Sequence, residues 1–311
     1  RWNGYNYGLV GHLALNLRND NRKSLEIKSL KNLPRNAKKS MQYLINEFLR
    51  ILVKISLKGY FNKIVIEGKE NIPKNTPILL VANHQNALID PLLLATHTGL
   101  KPSFLTRASV FKKSFVAKLL NFIHMLPVYR VRDGFSTIQQ NQTTFDQTYE
   151  VLRGNGTVII FAEGSHSLIR NLRPLSKGFT RIAFGLKEKY PEVTPVILPV
   201  ALDYSAHKRS GSIARVTIGK VIPVDMPAAK SGLLTKSVQV ALKNLVVEIP
   251  NENYDQQLEN LIAHQVDVSS REDVELFLET GQVPNPVNEV SGLKNKLMKI
   301  FHFPLYWLWL L

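Results

Sequence analysis

At 311 residues the chain is long enough for one large or two modest cores, and 44% hydrophobic against 21% charged residues excludes a disordered protein. A net charge of +16, from 40 Lys and Arg against 24 Asp and Glu, asks for a polyanionic partner: nucleic acid, an anionic membrane surface or a phosphorylated substrate. The absence of cysteine excludes disulfides, thiolate catalysis and Cys-based metal sites, and no metal is expected.

The charge is uneven. Up to Lys63 the acids are Asp20, Glu26 and Glu47, whereas from Glu248 to Glu279 acidic residues dominate and read as a solvated, helical periphery. The chain begins at Arg1 without a methionine, and its ends read as incomplete. Residues 1–40 are polar and basic with little periodicity, a tail or linker. They contain Trp2, Tyr5 and Tyr7 but no recognisable nucleic-acid module, so nucleic acid is not the expected partner.

Residues 41–60 read as an amphipathic helix. Leu44, Ile45, Phe48, Ile51, Leu52 and Ile55 are interrupted by Glu47, Arg50, Lys54 and Lys58, too charged to span a membrane. That pattern suits a helix at a lipid interface, and equally a helix packed on a core. A strand at 64–66 and a Pro/Asn turn lead to the apolar strand 77–82. Asp90-Pro91 then opens a helix, Asp as N-cap and Pro at the first helical position. A strand near 104–106, a helix 111–122, a short strand 126–130 and a helix from about 137 to 152 follow. Beyond them come the strand 157–161, a polar loop, a helix 177–189, and strands at 196–202 and 214–218. Strands alternating with helices predict an α/β fold, a mixed central sheet flanked by helices. To this the N-terminal amphipathic helix and a helical C-terminal extension are added. The expected organisation is a tail at 1–40, an α/β domain with its interface helix at 41–230 and the acidic helical extension at 231–290. Residues 291–311 would begin a membrane-associated segment: Lys294, Lys296 and Lys299 precede a Trp- and Tyr-rich apolar run shorter than the roughly 20 residues a span requires.

Chemistry concentrates past the ends of two apolar strands, where open α/β sheets keep their sites. Asn83-His84 and Asp90 follow the first; Glu163, Gly164, Ser165, His166 and Ser167 follow the second. A histidine with a nearby carboxylate can deprotonate a hydroxyl near neutral pH, and a glycine lets backbone approach a ligand. Backbone N–H groups in either loop are candidate oxyanion donors.

In order, Asn-His…Asp, Pro-Val-Tyr-Arg, Phe-Ala-Glu-Gly and Leu-Pro-Val-Ala-Leu resemble the four blocks of the glycerolipid acyltransferases, the family of glycerol-3-phosphate and lysophosphatidic acid acyltransferases. The resemblance runs from about Gly59 to Ile222. It implies a catalytic His84 with Asp90 as its partner, Arg130 on the acceptor's phosphate, and Glu163 and Gly164 as the Glu-Gly pair of the third block. Ser165, His166 and Arg173 join them as substrate-binding candidates, and Arg170 and Lys177 are further phosphate candidates. Arg107, Lys112 and Lys113 could meet a phosphate-bearing donor or the membrane. Five residues separate His84 from Asp90, where the family usually has four. This spacing, with Ser165-His166 after Glu-Gly, is similar to the yeast-type glycerol-3-phosphate acyltransferases.

The reading is transfer of a fatty acyl group from acyl-CoA or acyl carrier protein to a hydroxyl of glycerol 3-phosphate, with His84 as general base. Acylation of lysophosphatidic acid is the alternative acceptor. The acyl thioester is a co-substrate and no cofactor is implied. Partners are the membrane surface, the donor and the glycerol-phosphate acceptor, at the cytoplasmic face of a membrane. The competing readings are a hydrolase using the same His–Asp pair on water, and a non-catalytic basic protein that binds lipid or nucleic acid.

Overall fold

The computed structural model describes residues 35–129 and 141–283. The tail before residue 35, Arg130 and the apolar run at 301–311 lie outside the described residues. The chain divides into two compact units, Arg1–Leu49 and Arg50–Leu311. The division falls within the first helix, α1 (Arg35–Tyr60). Of the first unit, residues 35–49 are described; they are helical and expose Tyr43, Leu44 and Phe48.

The second unit is organised by a sheet, eight-stranded among the described residues. Its strands are β1 (Lys63–Glu67), β2 (Ile78–Ala82), β3 (Ser103–Arg107), β4 (Met125–Val128), β5 (Thr157–Phe161), β6 (Val196–Tyr204), β7 (Ile213–Ile218) and β8 (Ile222–Pro223). Their spatial order is β1-β7-β6-β2-β5-β3-β4, with β8 also on β6. β2 lies parallel to both β5 and β6, whereas β6 pairs antiparallel with β7 and β8, so the sheet is mixed as the sequence predicts. Every residue of β2 is buried, which is why that strand reads as an unbroken apolar run.

Parallel neighbours need crossover helices, and these cover both faces. They are α2 (Ile89–His97), α3 (Ser114–Phe122), α4 (Asn141–Arg153) and α5 (Gly178–Lys189); α6 (Ser231–Lys243), after the last described strand, adds to the cover. Strand alternation sorts the core. Ile78, Leu80 and Ala82 face a cluster with Leu93 and Leu94 of α2 and with Leu57 and Phe61 at the end of α1. Leu79 and Val81 face Leu152 of α4, Phe179 and Ile182 of α5, and Leu234 and Val238 of α6. The 41–60 helix packs on the core at its C-terminal end, as one of its two readings expects, and leaves other apolar residues exposed. Leu57 is fully buried in the core, while Ile51, Leu52 and Ile55 remain exposed. Arg50 is not held out toward lipid; it donates to the carbonyls of Ala95 and Leu100.

Beyond α6 lie α7 (Tyr254–Ala263) and α8 (Arg271–Thr280), around a third cluster that includes Val247, Ile249, Leu261, Val274 and Phe277. The acidic run here is not simply a solvated periphery. Asp267 and Asp273 are buried, and Asp267 pairs with Arg215 of β7 at 3.3 Å, tying this segment to the sheet. The helix expected over 111–122 is a 3₁₀ turn at Ala108–Phe111 followed by α3. Asp90 is not the N-cap of α2. It sits inside the first turn, and Asn86 Oδ1 accepts from the N–H groups of Leu88 and Ile89 instead.

Gly68, just past β1, is held at φ 72°, and a Cβ there would lie 2.0 Å from the carbonyl oxygen of Ile218. Gly68→Ala is expected to destabilise the protein by about 1–3 kcal/mol, read as a lower denaturation midpoint at unchanged slope.

Candidate active site

β2 ends at Ala82, and the chain then folds a loop against the exits of β5 and β6. Asn83 fixes the first step: its Nδ2 donates to Leu202 O at 2.9 Å, and its Oδ1 accepts from Leu202 N at 2.7 Å. The loop then wraps a fully buried carboxylate. Asp90 Oδ2 accepts from His84 Nδ1, from Gln85 N and from Asn86 N, each at 2.8 Å. Tyr204 Oη donates to the other oxygen, Oδ1.

A carboxylate only accepts, so the proton of the imidazole is on Nδ1 and Nε2 is left as the basic nitrogen. The His84 ring stacks on Phe161, centroids 4.0 Å apart and planes 15° from parallel. Its backbone is held by the second loop: His84 N donates to Glu163 Oε1 at 3.1 Å, and Ser167 N donates to His84 O at 2.9 Å. The two stretches that stand out in the sequence are thus one structure, joined by paired strands in register, Ala82 beside Phe161.

Glu163 serves this junction. Burial pushes its carboxyl up, and Arg173 pulls it back down through Nε to Oε2 at 2.6 Å. Arg173 also donates to the hydroxyl of Ser165 at 2.8 Å and to the Ser165 carbonyl. Arg173 and Ser165 therefore brace Glu163 rather than stand ready for a substrate phosphate. His166 lies edge-on to His84, centroids 5.9 Å apart. Gly164 turns the loop at φ 78°, and its N–H donates to Phe161 O at 3.0 Å. That N–H, like those of His84, Gln85 and Asn86, is committed within the protein and is not an oxyanion donor in this geometry.

Beyond Phe161 a cavity of ≈ 410 Å³ opens between the ends of β3, β4 and β5 and the start of α5. Leu105, Val128, Ile160 and Phe161 give it apolar walls; Arg107, Lys177 and Arg181 give it positive charge. Phe161 and Glu163 line the cavity and also touch His84, so the base and the basic pocket share a wall. Arg130, the expected phosphate ligand, lies outside the described residues.

Arg170, expected as a further phosphate candidate, is 3% exposed and engaged inside the fold. Its guanidinium lies 3.3 Å from His207 Nε2 and 3.4 Å from the Ser205 carbonyl. His207 in turn meets Gln85 Oε1 at 2.9 Å, and its carbonyl accepts from Asn86 at 3.2 Å. Gln85 Nε2 also donates to buried Asp203 at 3.2 Å. Burial lifts Asp203 to about 7 despite Arg170 beside it, and burial with the charge of Arg170 lowers His207 to about 3. Tyr204, Gln85 and His207 are the functional neighbours that sequence reasoning passed over. The signal was their place at the exit of the fourth-block strand and beside His84.

Residues 63–203 match the family model described as Acyltransferase. Among its relatives is a protein of Mycoplasma pneumoniae described as a probable 1-acyl-sn-glycerol-3-phosphate acyltransferase. It is 23% identical over 175 residues, 54% of this chain and 62% of that one. Glycerol-3-phosphate O-acyltransferase 2 of Saccharomyces cerevisiae is 32% identical over 95 residues, 26% of this chain and 13% of the yeast protein. The chain thus spans about three fifths of the first relative and far less of the second. In fold it is similar to the crystal structure of the 1-acyl-sn-glycerophosphate (LPA) acyltransferase PlsC from Thermotoga maritima. The TM-score is 0.50 at 19% identity, over 72% of this chain and 86% of that one.

The burial of His207 makes a pH prediction. The unfolded residue protonates near 6.5 but the folded one only near 3, so stability is present above 6.5 and is lost as pH falls toward 3. Denaturant titrations from pH 6.5 to 4 should show a steeper loss in the wild type than in His207→Gln. The difference in slope is at most about 1.4 kcal/mol per pH unit.

Proposed function

We propose that this chain is a glycerophospholipid O-acyltransferase that moves a fatty acyl group from an acyl thioester to a hydroxyl of a glycerol phosphate. The observation that carries the reading is the His84 Nδ1–Asp90 Oδ2 contact of 2.8 Å, with the carboxylate wholly buried and the imidazole beside a basic, apolar-walled cavity. In this reading neutral His84 takes the acceptor's hydroxyl proton at Nε2 as the oxygen attacks the thioester carbonyl. Asp90 holds the tautomer and balances the imidazolium, which then returns the proton to the departing thiolate. No acyl-enzyme is required. Lys177 and Arg181 are suited to the acceptor's phosphate at the cationic end of the cavity, and the apolar wall to the adjoining carbon chain.

Glycerol 3-phosphate is the acceptor we favour, on the five-residue His84–Asp90 spacing and the Ser165-His166 pair. The yeast relative carries that substrate in its name. Acylation of 1-acylglycerol 3-phosphate is the alternative, the activity named for the Mycoplasma relative. The site of action we propose is an anionic membrane surface. Ile51, Leu52 and Ile55 of α1 are exposed with Lys54 on the same helix, and Val110 and Phe115 with Lys112 and Lys113. Among the described residues no helix is long and apolar enough to cross a membrane.

Purified protein given labelled palmitoyl-CoA should acylate glycerol 3-phosphate faster than lysophosphatidic acid, and the reverse ranking would move the acceptor. His84→Ala should lower turnover by roughly 10²–10⁴-fold with the fold retained; a fully active variant would sink the general-base role. Release of free fatty acid without any acceptor would point to hydrolysis instead. The double variant Lys177→Ala/Arg181→Ala should raise the KM for glycerol 3-phosphate by about tenfold or more and leave that for the donor unchanged.

A further inference from the structure

We infer that Tyr204 is a positioning residue of the site: its phenol fixes the Asp90 carboxylate and, through it, the orientation of the His84 imidazole. The inference rests on the general-base reading of His84 and goes beyond it. Asp90 Oδ2 already serves three donors, the His84 ring and two backbone N–H groups. Its other oxygen, Oδ1, faces the interior with no exposure to solvent, where an unmet acceptor on a charged group is costly. Tyr204 supplies the donor from the last residue of β6, 114 positions away in sequence.

The phenol is built in. Tyr204 is 1% exposed, and its ring packs against Phe61, centroids 5.9 Å apart and planes 26° from parallel. It belongs to the apolar core cluster, and its ring centroid also lies 5.7 Å from that of His207. Burial, Asp90 and Asp203 hold the hydroxyl well above its ordinary pKa, so it stays protonated and donates. A carboxylate gripped at both oxygens cannot rotate about its Cβ–Cγ bond. The 2.8 Å contact to Nδ1 therefore sets the imidazole plane, which Phe161 supports on one face.

Tyr204→Phe keeps the ring and deletes the donor. We expect its kcat, measured well below the unfolding range, to fall on the order of tenfold to a hundredfold, the value of one hydrogen bond to a charged group, with both KM values close to wild type and the thermal midpoint lowered because Oδ1 loses its buried donor. In an Asp90→Asn background the same substitution should cost nothing further, because the group it acts through is gone. A series of fluorotyrosines at position 204 alters phenol acidity at nearly constant shape, and kcat should track that acidity. A wild-type kcat in Tyr204→Phe beside an inert His84→Ala would overturn the role of Tyr204 and leave the base in place. An active His84→Ala would overturn both. If Tyr204→Phe does not fold, the fluorotyrosine series decides, and a flat response overturns the inference.

Discussion

The site depends on keeping one negative charge in the interior. A carboxylate taken out of water costs several kcal/mol unless donors surround it, and Asp90 has no solvent exposure at all. Its donors come from its own loop and from across the sheet: the His84 ring, two backbone N–H groups and the Tyr204 phenol. Because two of these are main-chain groups, the charge dictates the path of the chain from His84 to Asn86. Across the five residues between His84 and Asp90, Gln85 and Asn86 both turn their N–H groups inward, while Asn86 Oδ1 takes the N–H groups that open α2.

The loop is also held from outside. Asn83 ties its start to β6, Glu163 and Ser167 tie its middle to the exit of β5, and His207 ties Gln85 and Asn86 to the segment after β6. Arg170 lies beneath, and its own backbone is bonded to Tyr254 and Ile249 of the C-terminal region. Each tie removes a way for the imidazole to move before substrate arrives, which is the structural content of pre-organisation. The third block therefore acts on the first. Glu163 reaches His84 through its backbone, and Arg173 offsets part of the upward push that burial gives the Glu163 carboxyl.

Much of this architecture was written locally. Apolar runs at 78–82, 157–161 and 196–202 could only be buried strands, and polar residues directly after them could only crowd one end of the sheet. The same residues put His84, Asp90 and Glu163 past the ends of two strands; that they meet is decided by the pairing of β2 with β5. Pairings over long sequence distances were not legible in that way. Nothing periodic links Tyr204 to Asp90, or Arg170 to His207, since their spacing is set by the order of strands rather than by any helix or strand repeat. Residue type misled where burial decided the outcome. Arg170, Arg173 and Lys177 read alike as candidates for binding substrate, yet the first is buried, the second pairs with Glu163 and the third lines the cavity.

That sorting changes what the net charge of +16 means. A composition counts arginines without saying where their charge goes. Arg50 is engaged with helix-end carbonyls, Arg173 with Glu163, Arg215 with Glu67 and Asp267, and Arg170 with a buried polar cluster. These charges hold the fold and project little field into solvent. Among the described residues, positive charge open to a partner is found in the cavity, through Lys177 and Arg181, and on exposed lysines such as Lys112 and Lys113. The first group surrounds a concave space of molecular size, which suits one small anion; the second lies on an open surface beside Val110 and Phe115, which suits an extended anionic one. In the proposed reading one excess of charge thus serves two geometries, a phosphate within reach of His84 and a surface that can present it.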